Sequence, residues 1–292
     1  MVDECVYLNG EIVPAGEARV SVFDAGFSHA AGLFETLRAY DGRVMRLEEH
    51  VRRLTHSAAT LELNIHVAVD AVAEGIRRLL DANRLSDARI RIVATPGVVP
   101  RPGQLSTAAH PTIVMTASQV QAYPPELYKH GMRVCICPYK QNPHNPLAGH
   151  KTLAYLPRLL AMGEAAQRKC HEALWFTTAN RLAEGSICNV FIVKDGVILT
   201  PPVDTPVLPG TVRQAAIELA EKLSIQIEER PIDIEALLSA TEVFLTGSVL
   251  EIMPVTSIEK HEVGRGVPGE ITERMCSAYK ELVARECGLD EG

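Results

Sequence analysis

The sequence predicts a two-domain α+β protein, and three observations carry that prediction. The chain has 292 residues, long enough for two modest cores rather than one. Strand-like alternation and helix-like periodicity mix in both halves. Between the halves lies Gln119-Val120-Gln121-Ala122-Tyr123-Pro124-Pro125, a linker by composition. The expected domains are therefore 1–120, the smaller, and 121–292, the larger.

In the first half, Cys5–Leu8 reads as a strand, turned by Asn9-Gly10 into a return strand over Glu11–Val13. A strand over Leu33–Tyr40 follows, closed by Asp41-Gly42, with Val44–Leu47 coming back. Apolar or small residues at Val51, Leu54, Ala58 and Leu61 predict a helix over 47–61. A second helix spans about 67–83, and strands follow at 89–94 and 112–117, joined by the Pro- and Gly-rich loop Thr95–Gly103.

The second half reads as strand 132–137, an Asn- and Pro-rich loop over 142–146, and an apolar helix from Thr152 to Arg168. Short strands come next at 173–177, 181–184, 189–193 and 197–200, the last pair turned by Asp195-Gly196. Helix 211–223, strand 226–230, a short helix near 234–239, strand 242–246 and a terminal helix over 269–286 complete it.

Composition narrows the function classes. A net charge of -7 argues against nucleic acid or an anionic membrane as partner, since either favours a basic face. No run reaches the roughly 18 apolar residues of a membrane span, and no secretory signal opens the sequence. Seven cysteines, an odd count without paired spacing, read as reduced core thiols of a cytoplasmic protein. No metal site is expected.

Of eight lysines most sit among charges, but Lys151 enters an apolar stretch, Gly149-His150-Lys151-Thr152-Leu153-Ala154-Tyr155-Leu156. Partial desolvation there would lower its pKa and free the amine to attack a carbonyl. The bland alternative is a stem that packs while the head reaches water. Two more segments bear on this. Leu182-Ala183-Glu184-Gly185-Ser186-Ile187-Cys188-Asn189 sets an acid at a strand end before a tight turn. Leu208-Pro209-Gly210-Thr211-Val212-Arg213 opens a helix, whose N–H groups and dipole suit a phosphate. Taken singly, Glu184 reads as a solvated strand-end acid, Thr211 as a helix cap, and Glu49–Arg53 as an i,i+4 surface pair.

Five segments in order resemble the class IV (fold-type IV) aminotransferases: Arg46–Leu54, Gly149–Leu153, Glu184–Phe191, Gly210–Arg213 and Thr246–Val255. Each is weak alone; together they cover nearly the whole chain, from about Leu8 to Val255. The family includes branched-chain and D-amino-acid aminotransferases, (R)-selective amine transaminases and aminodeoxychorismate lyases. The resemblance implies a two-domain α+β fold with pyridoxal 5'-phosphate in the interdomain cleft, held as a homodimer in which a neighbour's loop closes each site. Lys151, in the C-terminal domain, would be the Schiff-base lysine and acid–base catalyst. Arg53 would hold the cofactor phosphate, with the N–H groups of Thr211 and Val212 and with Ser248. Glu184 would pair with the pyridine nitrogen, Asn189 would support that acid or the cofactor edge, and Tyr155 would meet the ring hydroxyl.

On the substrate side, alternation puts Phe34, Thr36, Arg38 and Tyr40 on one strand face, and Arg89 and Arg91 together on another. Arg38 and Arg91 match positions that branched-chain enzymes use near a substrate carboxylate, and Val249 matches a substrate-turn residue. Arg101 matches the carboxylate-binding arginine of D-amino-acid enzymes, though Gly103 stands where their histidine would be. Many relatives carry Gly-Asp-Gly before the Phe-Glu strand; this chain has Ala30-Ala31-Gly32. The implied reaction is ping-pong transamination between an L-branched-chain or other aliphatic amino acid and a 2-oxo acid such as 2-oxoglutarate. Aminodeoxychorismate lyase and a D-amino-acid or (R)-amine transaminase are the alternatives, the former echoed in Asn142-Pro143-His144. The literal G-x-G-x-x-G at Gly264–Gly269 lacks the following strand and acid of a dinucleotide site and reads as a loop.

Overall fold

The computed structural model describes residues 4–101, 103–107 and 110–289, and divides them into two compact units. The first comprises 1–121, His150–Ala154 and 286–292; the second comprises Ala122–Gly149 and Tyr155–Arg285. Where the sequence places Lys151 in the second domain, the segment that bears it groups with the first unit.

In the first unit, β1 (Cys5–Leu8) and β2 (Glu11–Pro14) form a hairpin whose turn residues Asn9 and Gly10 both take positive φ. A short helix α1 (Ala25–His29), capped by the Asp24 carboxylate, precedes β3 (Leu33–Tyr40) and β4 (Arg43–Val44). β4 stops short of the expected Leu47 because Arg46 turns left-handed, at φ 51°, into α2 (Leu47–Thr60). α3 (Val69–Asn83), β5 (Ala88–Thr95) and β6 (Thr112–Gln119) follow, and the antiparallel sheet runs β2-β1-β6-β5-β3-β4.

Val51, Leu54 and Ala58 of α2 and Val72, Ile76 and Leu79 of α3 pack on the face of β3 and β5 that bears Leu33, Leu37, Ile90 and Ile92. Truncating a fully packed leucine such as Leu54 to alanine would cost about 2–5 kcal/mol.

The second unit opens with α4 (Pro125–His130), a helix that starts at the last residue of the stretch read as linker, with Pro125 in its first turn. Then come β7 (Met132–Gln141), α5 (Leu156–Gln167), β8 (Glu172–Thr177), β9 (Leu182–Gly185), β10 (Asn189–Lys194) and β11 (Val197–Thr200). α6 (Thr211–Lys222), β12 (Ile227–Glu229), α7 (Ile234–Leu238), β13 (Glu242–Gly247), β14 (Glu251–Ile258), β15 (His261–Glu262) and α8 (Glu270–Glu286) complete it. The sheet runs β12-β11-β10-β13-β14-β7-β8-β9, with β15 on β14, and mixes parallel and antiparallel pairs.

α5 starts four residues later than its apolar run suggests. Thr152 forms a bridge with Leu33, and Leu153 N–H bonds Gly32 O at 2.9 Å, so this backbone is committed to strand pairing. Residues 263–269 connect β15 to α8 as a loop, so the glycine-rich match there opens no βαβ unit. Among the described residues, no helix is long and apolar enough to cross a membrane.

Candidate active site

The first unit gathers its charged residues around β3. Pleating sends Glu35 to the same face as Leu33 and Leu37, where α2 lies. Arg53 Nε and Nη2 reach Glu35 Oε1 and Oε2 at 2.8 and 2.6 Å, a fork matched to a carboxylate. His50 Nδ1 stands 2.8 Å from Glu35 Oε2. Glu35 is only 1% exposed. Burial alone would push its carboxyl up; Arg53, followed by His50, outweighs burial and holds it well below the usual carboxylate range. Burial holds the His50 imidazole below its ordinary value, against the pull of Glu35. The trio is therefore a buried carboxylate–guanidinium pair beside a neutral histidine. Arg53 is thus not the partner of Glu49 that i,i+4 spacing offers. Glu35 escaped the sequence reading, although an acid in phase with Leu33, Leu37 and Ala39 on a core face was the available signal.

The opposite face of β3 carries Phe34. Its ring bears two cations: the Arg91 guanidinium 3.9 Å from the centroid and Lys151 Nζ 4.6 Å from it. Lys151 is placed by its backbone, since Phe34 N–H bonds Lys151 O at 2.9 Å. Gly32 makes that approach possible: a Cβ there would stand 2.8 Å from both Ala94 O and Leu153 Cδ1. His150 Nδ1 contacts Ser57 Oγ at 2.9 Å, and burial lowers its imidazole pKa. Arg38 lies over the Tyr40 ring, 4.3 Å from its centroid. Arg89 is exposed, as a solvated strand face would have it, and Arg101 is exposed in the loop after β5.

In the second unit Glu184 stands near the end of β9, almost fully buried. Its Oε2 accepts Leu208 N–H at 2.9 Å, and its Oε1 accepts Arg158 Nη2 at 2.5 Å. Asn189 Nδ2 donates to Leu208 O at 2.8 Å, so Glu184 and Asn189 grip the two sides of one peptide residue. Gly210 follows as the N-cap of α6, and a Cβ there would sit 2.1 Å from Asn189 Oδ1. The cap brings no side chain and the first turn of α6 holds no acid, a setting that favours an anion.

Thr211 and Val212 begin α6, both buried, and Ser248 and Val249 form the half-buried turn between β13 and β14. Thr246 faces Asn189 across β10 and β13, and its buried hydroxyl has no hydrogen-bond partner among the described residues. A buried hydroxyl left so is a place for a ligand oxygen. Tyr155 donates its hydroxyl to Ser186 O at 3.2 Å, and burial pushes its pKa up to about 12.

These features fit a phosphorylated aldehyde cofactor: an amine held on an aromatic ring, an arginine locked by a carboxylate, an acceptor acid, and an uncapped helix N-terminus beside an orphan hydroxyl.

The family model for amino-transferase class IV matches residues 32–258. The chain is 36% identical over 278 residues to a putative branched-chain-amino-acid aminotransferase of Methanocaldococcus jannaschii, covering 95% of this chain and 96% of that one. It is 30% identical to a D-alanine aminotransferase of Staphylococcus epidermidis, covering 95% and 97%, and 32% identical to the aminodeoxychorismate lyase of Bacillus subtilis, covering 95% and 94%. The Escherichia coli branched-chain amino acid aminotransferase superposes with a TM-score of 0.91 at 30% identity, covering 99% of this chain and 98% of that one. The branched-chain amino acid aminotransferase of Thermoproteus uzoniensis, solved with norvaline, gives a TM-score of 0.87 at 28% identity, covering 98% and 96%. The chain belongs to the class IV aminotransferases, which use pyridoxal 5'-phosphate.

Proposed function

We propose that the chain transfers an amino group between an L-branched-chain or related aliphatic amino acid and a 2-oxo acid such as 2-oxoglutarate, by a ping-pong route. The observation that carries this reading is the Phe34 ring with Arg91 and Lys151 upon it. It offers an apolar wall, a cation for a substrate carboxylate and the reactive amine within one cluster. Arg38 and Val249 extend the substrate side in this reading. Similarity to branched-chain enzymes supports it.

Lys151 Nζ would hold the cofactor aldehyde and, once the substrate's amino group has displaced it, would be the base that carries the Cα proton. When bound, pyridoxal phosphate supplies the electron sink for the pair released at Cα. Arg53, kept rigid by Glu35, would hold the phosphate, and Thr211 and Val212 N–H and Ser248 would complete the cup. Glu184 holds the proton of the ring nitrogen, Asn189 steadies that acid through Leu208, and Tyr155 bonds the ring hydroxyl.

The protein works as a cytoplasmic homodimer. Phe23 and Phe27, 74% and 75% exposed, and Leu156, Leu159 and Leu160 of α5 offer apolar surface for a second copy. All seven cysteines are free thiols, as a reducing compartment keeps them.

Half-reactions test the substrate. L-Leucine or L-glutamate should bleach the visible cofactor band faster than D-alanine or an (R)-amine. The opposite order moves the carboxylate contact to Arg101 and ends the L-specific reading. Conversion of aminodeoxychorismate to 4-aminobenzoate without transamination would favour the lyase. Lys151→Ala should lose both turnover and the borohydride-reducible adduct; a mutant that keeps the adduct removes Lys151 from its role.

A further inference from the structure

The cation that holds Glu184 is Arg158, a residue without any mark in the sequence to set it apart. It stands in the first turn of α5, and its guanidinium is engaged on several sides at once. Nη1 donates to Gly185 O at 2.8 Å, and Nη2 donates to Glu184 Oε1 at 2.5 Å and to Gln141 Oε1 at 3.3 Å. Its flat face lies on Trp175, 4.7 Å from the ring centroid. Trp175 is itself tied by Nε1 to Ser186 Oγ at 3.2 Å, and Gln141 Nε2 donates to Pro206 O. The cation is thus fixed by β7, β8 and the β9 end rather than swinging from a solvent-facing helix. Leu208 N–H holds the other carboxylate oxygen, so Glu184 can neither rotate nor move away.

A carboxylate bound to a guanidinium is a weaker base than one bound to neutral donors, because the positive charge favours its ionised form.

We propose that Arg158 is a positioning residue that sets the direction of the Glu184 carboxylate toward the cofactor's ring nitrogen and keeps a positive charge beside it. The inference rests on the assignment of Glu184 to that nitrogen. Arg158 therefore acts through Glu184 and touches no reacting atom.

The test compares Arg158→Gln, Arg158→Met, Arg158→Lys and Glu184→Gln in the cofactor-loaded protein, through the pH midpoint of the bound cofactor's visible absorbance. Losing a cation makes every proton in the site harder to remove. Arg158→Gln should raise the midpoint by about one unit or more, with turnover roughly tenfold down as for other residues that orient a group in contact with the reacting centre. Arg158→Met, whose unbranched stem still packs on Trp175, carries the same expectation should the Gln variant not fold. Arg158→Lys keeps the charge and should stay near the parental midpoint; a Lys variant that shifts as far as the Gln variant overturns the charge argument. Glu184→Gln should shift the midpoint as well, because the ring nitrogen loses the acid that holds its proton. If Glu184→Gln shifts it while Arg158→Gln and Arg158→Met keep the parental value, and only the melting temperature of the apo-protein falls, Arg158 is a structural strut and the inference fails alone. If Glu184→Gln leaves both spectrum and turnover parental, the assignment of Glu184 fails, and the inference with it.

Discussion

Each unit pairs one proposed cofactor contact with a counter-ion of its own, yet the two pairs are built differently. In the first, Arg53 is locked by Glu35, an acid planted on the core face of a strand; the side chains are 8% and 1% exposed. In the second, Glu184 is held by Arg158 from a helix start, with side chains 7% and 20% exposed. The first pair is dry and forked on both oxygens, so its geometry is fixed at the cost of desolvating two charges. The second leaves the cation partly in water, where its pull on the acid is screened. A phosphate anchor has only to stay still. A ring-nitrogen partner has to be tuned, and the wetter pair suits that task.

The sharpest way to break the comparison is Glu35→Gln. Removing one charge of a dry pair strands the other, which costs about 3–5 kcal/mol. Chemical denaturation should show that loss, and equilibrium titration should show weakened cofactor binding. A variant as stable as the parent would mean that Arg53 does not depend on Glu35. Glu184→Gln should behave in the opposite manner. Its partners retain other bonds, so the fold loses about 1–2 kcal/mol, while turnover falls on the order of 10²–10³-fold as a preorganised charge is lost. Near-normal turnover would take Glu184 out of the chemistry.

Acid sharpens the contrast. The folded-state pKa of Glu35 is depressed, so its stabilisation is present above the ordinary carboxylate range and is lost as pH falls through it. His50 adds an earlier phase. Its folded pKa lies below the ordinary histidine value of 6.5, so the unfolded chain takes up a proton first as pH falls. Stability should then decline below that pH, by at most about 1.4 kcal/mol per unit. Melting curves between neutral pH and mild acid, for the parent and for His50→Gln, would show the variant declining less. Equal slopes would mean that His50 takes up its proton at the same pH in the folded and unfolded chain.

What the sequence made legible was local. The pleat of β3 and the apolar stripe of α2 followed from spacing within one element, and so did the turn at Asn9-Gly10. The residues missed were those defined by partners far along the chain. Thr152 reads as helix because its neighbours are apolar, but its backbone is used by Leu33, more than a hundred residues earlier. Glu35 and Arg158 are ordinary charges until Arg53 and Glu184 stand beside them. β14 was hidden by Pro254, which argues against an inner strand. The proline is tolerated because pairing of β14 with β7 begins only at Val255. In the segments around Lys151, Glu184 and Thr211, motifs in order carried what no single spacing could.

The smallest effect concerns two left-handed positions that lead into paired segments. Gly149, at φ 79°, precedes the His150-Lys151 stretch, and Ala30, at φ 54°, caps α1 just ahead of Gly32 and β3. Glycine takes that conformation without strain, whereas a Cβ beside the following carbonyl costs roughly 1–2 kcal/mol. Glycine returns part of the gain through the greater freedom of its unfolded chain, about 0.5–1 kcal/mol. Ala30→Gly should therefore stabilise the first unit by about 1 kcal/mol or slightly less, while Gly149→Ala should destabilise by a similar amount. Thermal unfolding of the two variants in parallel reads both signs. Because Ala30 lies outside the Glu35–Arg53 clamp, the gain should appear without any change in cofactor affinity. If Ala30→Gly lowered the melting temperature, the left-handed cap would have to be relaxed by its surroundings, and β3 would enter the sheet without the strain assigned to that residue.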